Sequence, residues 1–70
     1  MKKIMVLGAG LVGRAMAIDL CRDYEVTSVD IHADTLLKLA QEHPIRTVTA
    51  DLAQFESIGP LVSGQDLVIG

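Results

Sequence analysis

The chain has 70 residues, of which 50% are hydrophobic and 21% charged, with a net charge of −3. That balance argues against nonspecific binding to nucleic acid or an anionic membrane, since no basic stripe with interleaved aromatics exists and Tyr24 and Phe55 are the only aromatic residues. The lone Cys21 has no internal disulfide partner, and no apolar run is long enough to span a bilayer.

Met1-Lys2-Lys3 and the apolar residues behind it superficially resemble a secretory leader. The glycines and Arg14 break the run, and no small-residue cleavage site follows. A first strand over residues 3–7 is the better reading, and a cytoplasmic location is expected. Its continuous apolar character suits a central parallel strand buried on both faces. The strand runs into Gly8, Gly10 and Gly13. Each glycine answers a physical need. Gly8 permits a tight turn, Gly10 lets a pyrophosphate approach the backbone, and Gly13 lets a helix pack close to a sheet. A helix over 11–22 follows, with Val12, Ala15, Met16 and Leu20 inward and Arg14 and Asp19 elsewhere. Cys21 reads as a small buried apolar thiol.

Residues 25–30 form the second strand, with β-branched Val26, Thr27 and Val29. It ends on Asp30, 17 residues after Gly13. A second helix runs from Asp34 to about Glu42, with Leu36, Leu39 and Ala40 inward and Leu37 on a flank. His43-Pro44 ends it, because a residue before proline is pushed out of the helical region. Residues 45–50 form the third strand. A third, shorter helix is expected over 54–62, with Phe55, Ile58 and Val62 inward and an interruption at Gly59-Pro60. Ser63-Gly64-Gln65 makes a turn into a fourth strand, Asp66 to Ile69.

This order, β-α-β-α-β-α-β, predicts an α/β fold. Right-handed crossovers give a parallel sheet in the order 3-2-1-4 and a partial Rossmann unit. A full doubly wound domain has six strands. Residues 1–70 are therefore read as the N-terminal part of a dinucleotide-binding domain, truncated after the fourth strand. The rest of that domain and a substrate domain would lie outside this chain. The last strand would present an unpaired edge.

The glycine loop, with the helix N-terminus behind it, offers amides and a positive dipole end to phosphates. Asp30 is placed to accept hydrogen bonds from the adenosine ribose. A carboxylate there bonds a free 2′-hydroxyl and repels a 2′-phosphate, so NAD is favoured over NADP. Ile31, His32 and Ala33 supply no Arg or Lys for a phosphate. His32 is either an exposed loop residue or a group facing a phosphate. Asp51 and Leu52 follow the third strand and border the adenine position, although Asp51 is equally suited to capping the third helix. Arg14 is read as solvated outward, and His43 as structural. No carboxylate pair, metal-ligand cluster or nucleophile–base arrangement is present, so neither catalytic residues nor a metal site are expected in this stretch. A Rossmann-like fold without a nucleotide is the competing reading.

The run Lys3-Ile4-Met5-Val6-Leu7-Gly8-Ala9-Gly10-Leu11-Val12-Gly13-Arg14-Ala15 resembles the start of the saccharopine dehydrogenase and lysine dehydrogenase group. Val29-Asp30-Ile31, Ala50-Asp51-Leu52 and Gln65-Asp66-Leu67-Val68-Ile69-Gly70 strengthen the likeness, which covers the whole chain. The resemblance implies a nicotinamide-dependent oxidoreductase acting at a carbon–nitrogen bond of an amino acid or its adduct. Its small-molecule substrate and catalytic groups would belong to a second domain, and self-association is expected. It also implies that Gly8, Gly10, Leu11, Val12 and Gly13 surround the pyrophosphate and that Asp30 and Ile31 hold the ribose. Asp51 and Leu52 would flank the adenine, and Gly70 would begin the loop toward the nicotinamide. The chain also resembles the NAD(H)-sensing regulatory domains of potassium channels and transporters. Those domains carry a glycine before the acid that follows strand three, where this chain has Ala50.

Overall fold

The computed structural model describes residues 1–54, 59, 60 and 62–70. The elements are β1 (Lys3–Leu7), α1 (Leu11–Leu20), β2 (Glu25–Asp30), α2 (Ala33–Glu42), β3 (Arg46–Thr49) and β4 (Leu67–Ile69). All pairings are parallel and the sheet order is β3-β2-β1-β4. The expected α/β architecture and strand order are thus observed. The helix expected over 54–62, with Phe55 and Ile58 inward, falls largely on residues 55–58 and 61, outside the described residues.

Register positions the site. Leu7 pairs with Val29, Asp30 with Thr49, and Val6 with Ile69. The carboxyl ends of the four strands therefore lie side by side, which is where open α/β sheets bind ligands. At the opposite end, Asp66 clips β4 to β1. Its carboxylate accepts the Lys3 N–H at 2.7 Å, and its own N–H donates to the Lys3 carbonyl at 2.8 Å.

Ile4 and Val6 of β1 and Val26 of β2 form one core cluster with Ala17 of α1, Leu39 of α2 and Ile45. Alternation along the strands makes this one face of the sheet, and both helices cover it. The face that α1 turns inward is not the one expected. Val12 and Ala15 are exposed and Met16 is half-buried, whereas Ala17 is fully buried. Ile18, Leu20 and Cys21 pack partly against the cluster. The inward stripe is Gly13, Ala17, Leu20 and Tyr24, spaced as a helix face requires. Gly13 sets that phase, because its side of the helix lies against the Gly8 backbone with no room for a Cβ. In α2, Leu36 and Leu39 are buried as expected, but Ala40 is exposed along with Leu37. With two inward leucines one turn apart, the stripe is already complete.

Helix α1 stops at Leu20, two residues before the expected end. Cys21 still donates its N–H to the Ala17 carbonyl, and a turn then carries the Asp23 and Tyr24 N–H groups onto the Leu20 carbonyl. The Cys21 thiol donates to the Ile18 carbonyl. β4 lies at the sheet edge, with Leu67 and Val68 exposed.

Candidate nucleotide-binding site

The corner between β1 and α1 is shaped by its glycines. Gly8 has φ +102°, a left-handed conformation that favours glycine. Its N–H donates to the Val29 carbonyl at 2.7 Å, which ties the turn to β2. A Cβ on Gly13 would run into the Gly8 carbonyl oxygen and lie 3.8 Å from Val6 Cγ1. The first turn of α1 thus sits directly on the loop, as a helix–sheet contact through Gly13 requires. A Cβ on Gly10 would meet nothing within 4 Å, so the space in front of that backbone is open.

Gly10 is also the N-cap of α1, and no side chain caps this end. The first intrahelical bond runs from the Arg14 N–H to the Gly10 carbonyl at 2.8 Å. The amides of Leu11, Val12 and Gly13 come before it and have no carbonyl four residues back within the helix. No acidic residue lies in that first turn. Among the described residues the positive end of the helix therefore keeps its donors open, a ready arrangement for an anion.

Asp30 reaches this corner from the tip of β2. Its Oδ2 accepts the Ala9 N–H at 2.6 Å. Its Oδ1 accepts the backbone N–H and the Nδ1–H of His32, each at 2.9 Å. The backbone N–H groups of His32 and then Ala9 hold the Asp30 carboxyl down to about 2, against the opposing effect of burial. The carboxylate is therefore charged at any ordinary pH and acts only as an acceptor. The proton in the His32 contact accordingly sits on Nδ1.

The remaining predicted residues surround the same sheet end. Ile31 is exposed beside Asp30. Asp51 and Leu52 are half-buried after β3. The Asp51 carboxylate accepts the Ala53 N–H at 2.9 Å, a local turn, while the third helix it was expected to cap falls largely outside the described residues. Gly70 follows β4, and a Cβ there would touch the Leu7 side chain at 3.6 Å. Arg14 is paired with Glu42 at 3.3 Å across the two helices. His43 caps the end of α2, donating its N–H to the Leu39 carbonyl. Two participants were not anticipated in these roles: the Ala9 amide and the His32 pair with Asp30. The His32 backbone bond was legible, since an aspartate commonly bonds the N–H two residues on. The Ala9 bond was not, because it joins residues 21 apart. Among the described residues no cluster of His, Cys, Asp and Glu suits a metal ion, and no helix is long and apolar enough to cross a membrane.

The model of the saccharopine dehydrogenase NADP-binding domain family matches residues 4–70. The chain belongs to that family. As a saccharopine dehydrogenase-type NADP-binding domain, it is a nucleotide-binding domain of oxidoreductase type. The fold of this domain is also that of the PbgP3 protein from Burkholderia pseudomallei, at a TM-score of 0.76 and 24% identity over 96% of the chain. It is similar to a 3-hydroxyacyl-CoA dehydrogenase from Archaeoglobus fulgidus, at a TM-score of 0.71 and 27% identity over 97% of the chain. The domain spans 21% and 23% of the lengths of those two chains. No curated protein matches it.

Proposed function

We propose that this domain holds a nicotinamide dinucleotide for a dehydrogenase acting at the carbon–nitrogen bond of an amino acid or its adduct. The observation that carries the reading is the uncapped start of α1: three open amides beside a glycine whose missing side chain leaves the approach clear. A pyrophosphate fits that cradle. The Asp30 carboxylate lies at the right strand tip for the adenosine ribose, and Asp51 and Leu52 lie where the adenine would rest. Gly70, beside Leu7, lies on the side toward the nicotinamide.

The family description names NADP, whereas Asp30 is a fixed negative charge where a 2′-phosphate would arrive. We read this chain as taking NAD more readily, with NADP admitted. The nicotinamide ring, when bound, supplies the hydride chemistry. The chain's own residues orient the cofactor. The substrate and the proton-transferring groups would come from a second domain, in a cytoplasmic and self-associating protein. The family match weighs toward this reading and against a purely regulatory NAD sensor.

The test is a titration of the intact protein with NAD, NADH and NADP, followed by an assay of NADH formation with NAD and a panel of amino acids. Saturable binding and turnover with an amino acid are expected. Absence of binding at millimolar nucleotide overturns the cofactor role. Binding without turnover on any amine substrate overturns the catalytic one and restores the sensor.

A further inference from the structure

We propose that His32 is the exchangeable occupant of Asp30: it gives up the outer carboxylate oxygen to a ribose 2′-hydroxyl and pairs instead with a 2′-phosphate, so that it sets the balance between NAD and NADP. This rests on the reading of the corner as a dinucleotide site.

The two oxygens of Asp30 are held differently. Oδ2 is bonded to the Ala9 N–H at 2.6 Å in a partly buried position. Ala9 is itself buried, and the neighbouring Gly8 is tied to Val29. Releasing that bond would require the loop to move. Oδ1 accepts two bonds, from the His32 backbone N–H and from the ring Nδ1–H. A carboxylate oxygen has about two lone-pair sites, so Oδ1 is full. A ribose hydroxyl that bonds Oδ1 must displace one donor. The backbone N–H belongs to the N-cap of α2 and is fixed. The imidazole is 76% exposed, and among the described residues its ring bonds Asp30 alone. Rotation about the side chain frees it. Oδ2 retains one lone pair for the adjacent hydroxyl, so a vicinal diol can bridge both oxygens once the ring has left.

A 2′-phosphate meets a different situation. The charged groups around the junction are acidic: Asp30 at the tip of β2, Asp34 in the first turn of α2, and Asp51 just beyond the β3 residue paired with Asp30. On α1, Arg14 is engaged with Glu42. Residues 30–34 contain no Lys or Arg. His32 is the residue at this junction able to donate from two ring nitrogens and to carry positive charge. Turned off Asp30, it is free to meet the phosphate. The same side chain thus competes with NAD and assists NADP, and the two effects have opposite signs.

The experiment is equilibrium titration of the intact protein with NAD and NADP at one pH and ionic strength, for wild type, His32→Ala, His32→Gln and His32→Arg. For His32→Ala, NAD affinity is expected to hold or rise, and NADP affinity to fall about tenfold, the scale of one charge-assisted bond. His32→Gln, which keeps a donor without a charge, is expected to lose NADP affinity as well. His32→Arg is expected to recover it. Thermal melting of the nucleotide-free variants checks that each is folded. A ratio of NAD to NADP affinity unchanged by His32→Ala overturns the proposal, and so does failure of His32→Arg to recover NADP. Wild-type protein that binds neither nucleotide overturns the dinucleotide reading itself, and this inference with it.

Discussion

Helices α1 and α2 have the same length and cover the same face of the sheet, yet their first turns are built for different ends. α2 has two inward leucines, an acidic Asp34 in its first turn and an outer face that is mostly polar. Its design is that of a helix holding a sheet together. α1 starts on a bare glycine, carries no acid in its first turn and leaves Leu11 and Val12 88% and 71% exposed. A Ser, Asp or Asn at position 10 would satisfy one of its free amides. Gly10 leaves them all open. The contrast shows that α1 combines a structural half, anchored by Ala17, with a first turn whose donors are kept available.

The largest expected effect lies on the structural side. Leu39→Ala in α2 removes a fully buried side chain from the central cluster. We expect a loss of about 2–5 kcal/mol in denaturant unfolding of the intact protein. Gly13→Ala is next. Helix propensity alone would gain up to about 1 kcal/mol, but the new methyl would meet the Gly8 backbone and not a yielding side chain. A net loss of about 1–3 kcal/mol is expected, together with weaker nucleotide binding because the loop must shift. A stabilised variant would show that the contact between α1 and the loop is less tight than described.

Gly10→Asp tests the contrast most directly. The position has an ordinary φ of −68° and open space for a side chain. A carboxylate there caps α1 and complements its dipole, so stability should rise by about 0.5–1 kcal/mol. Dinucleotide affinity should fall by about tenfold or more, because the same carboxylate occupies and repels the pyrophosphate position. Stability and binding moving together would refute the view that the bare cap serves the ligand. Asp30 gives a smaller, pH-dependent effect. Its folded pKa of about 2 lies below the ordinary 3.8. Its stabilising contribution is therefore complete above about pH 4 and lost as the pH falls through 2. The gap in stability between wild type and Asp30→Asn should be flat from pH 7 to 5 and should close between pH 4 and 2. A gap that persists at pH 2 would mean that the Ala9 and His32 bonds do not depend on the charge.

Strand order and the placement of the glycine loop were legible because both depend on local chemistry. Apolar runs of strand length end on glycine or aspartate, and Pro44 limits α2. What was not legible depends on which side of a nearly all-apolar helix faces inward. In α1, Val12, Met16, Ala17, Ile18 and Leu20 leave the periodicity ambiguous. The close approach at Gly13 decides it, and Gly13 counted forward by four and seven would have led to Ala17 and Leu20. The carboxylate of Asp30 was recognised as a ligand group, but its bonds to Ala9 and His32 belong to tertiary structure. A spacing of 21 residues carries no sign of a hydrogen bond. Asp51 is suited both to adenine contact and to capping the third helix; the described residues show its carboxylate in a turn with Ala53, which is compatible with either.

The smallest expected effect is the most pointed test of why apolar residues stand at the start of α1. Leu11→Ser places a polar residue at a site 88% exposed. If the leucine is present only because it cannot bend back to cap its own helix, the nucleotide-free protein should change by less than about 0.5 kcal/mol, as exposed substitutions usually do. A serine at the first helical position is one residue beyond the N-cap, so it gains no ordinary capping bond. Its backbone N–H still points outward, and dinucleotide affinity should change little. A loss on the scale of Leu39→Ala would carry a different message. It would mean that the Leu11 side chain is covered in the intact protein, and that the first turn of α1 is packed by another part of that protein as well as facing a ligand. Melting curves of the two variants, measured side by side without nucleotide, separate these outcomes.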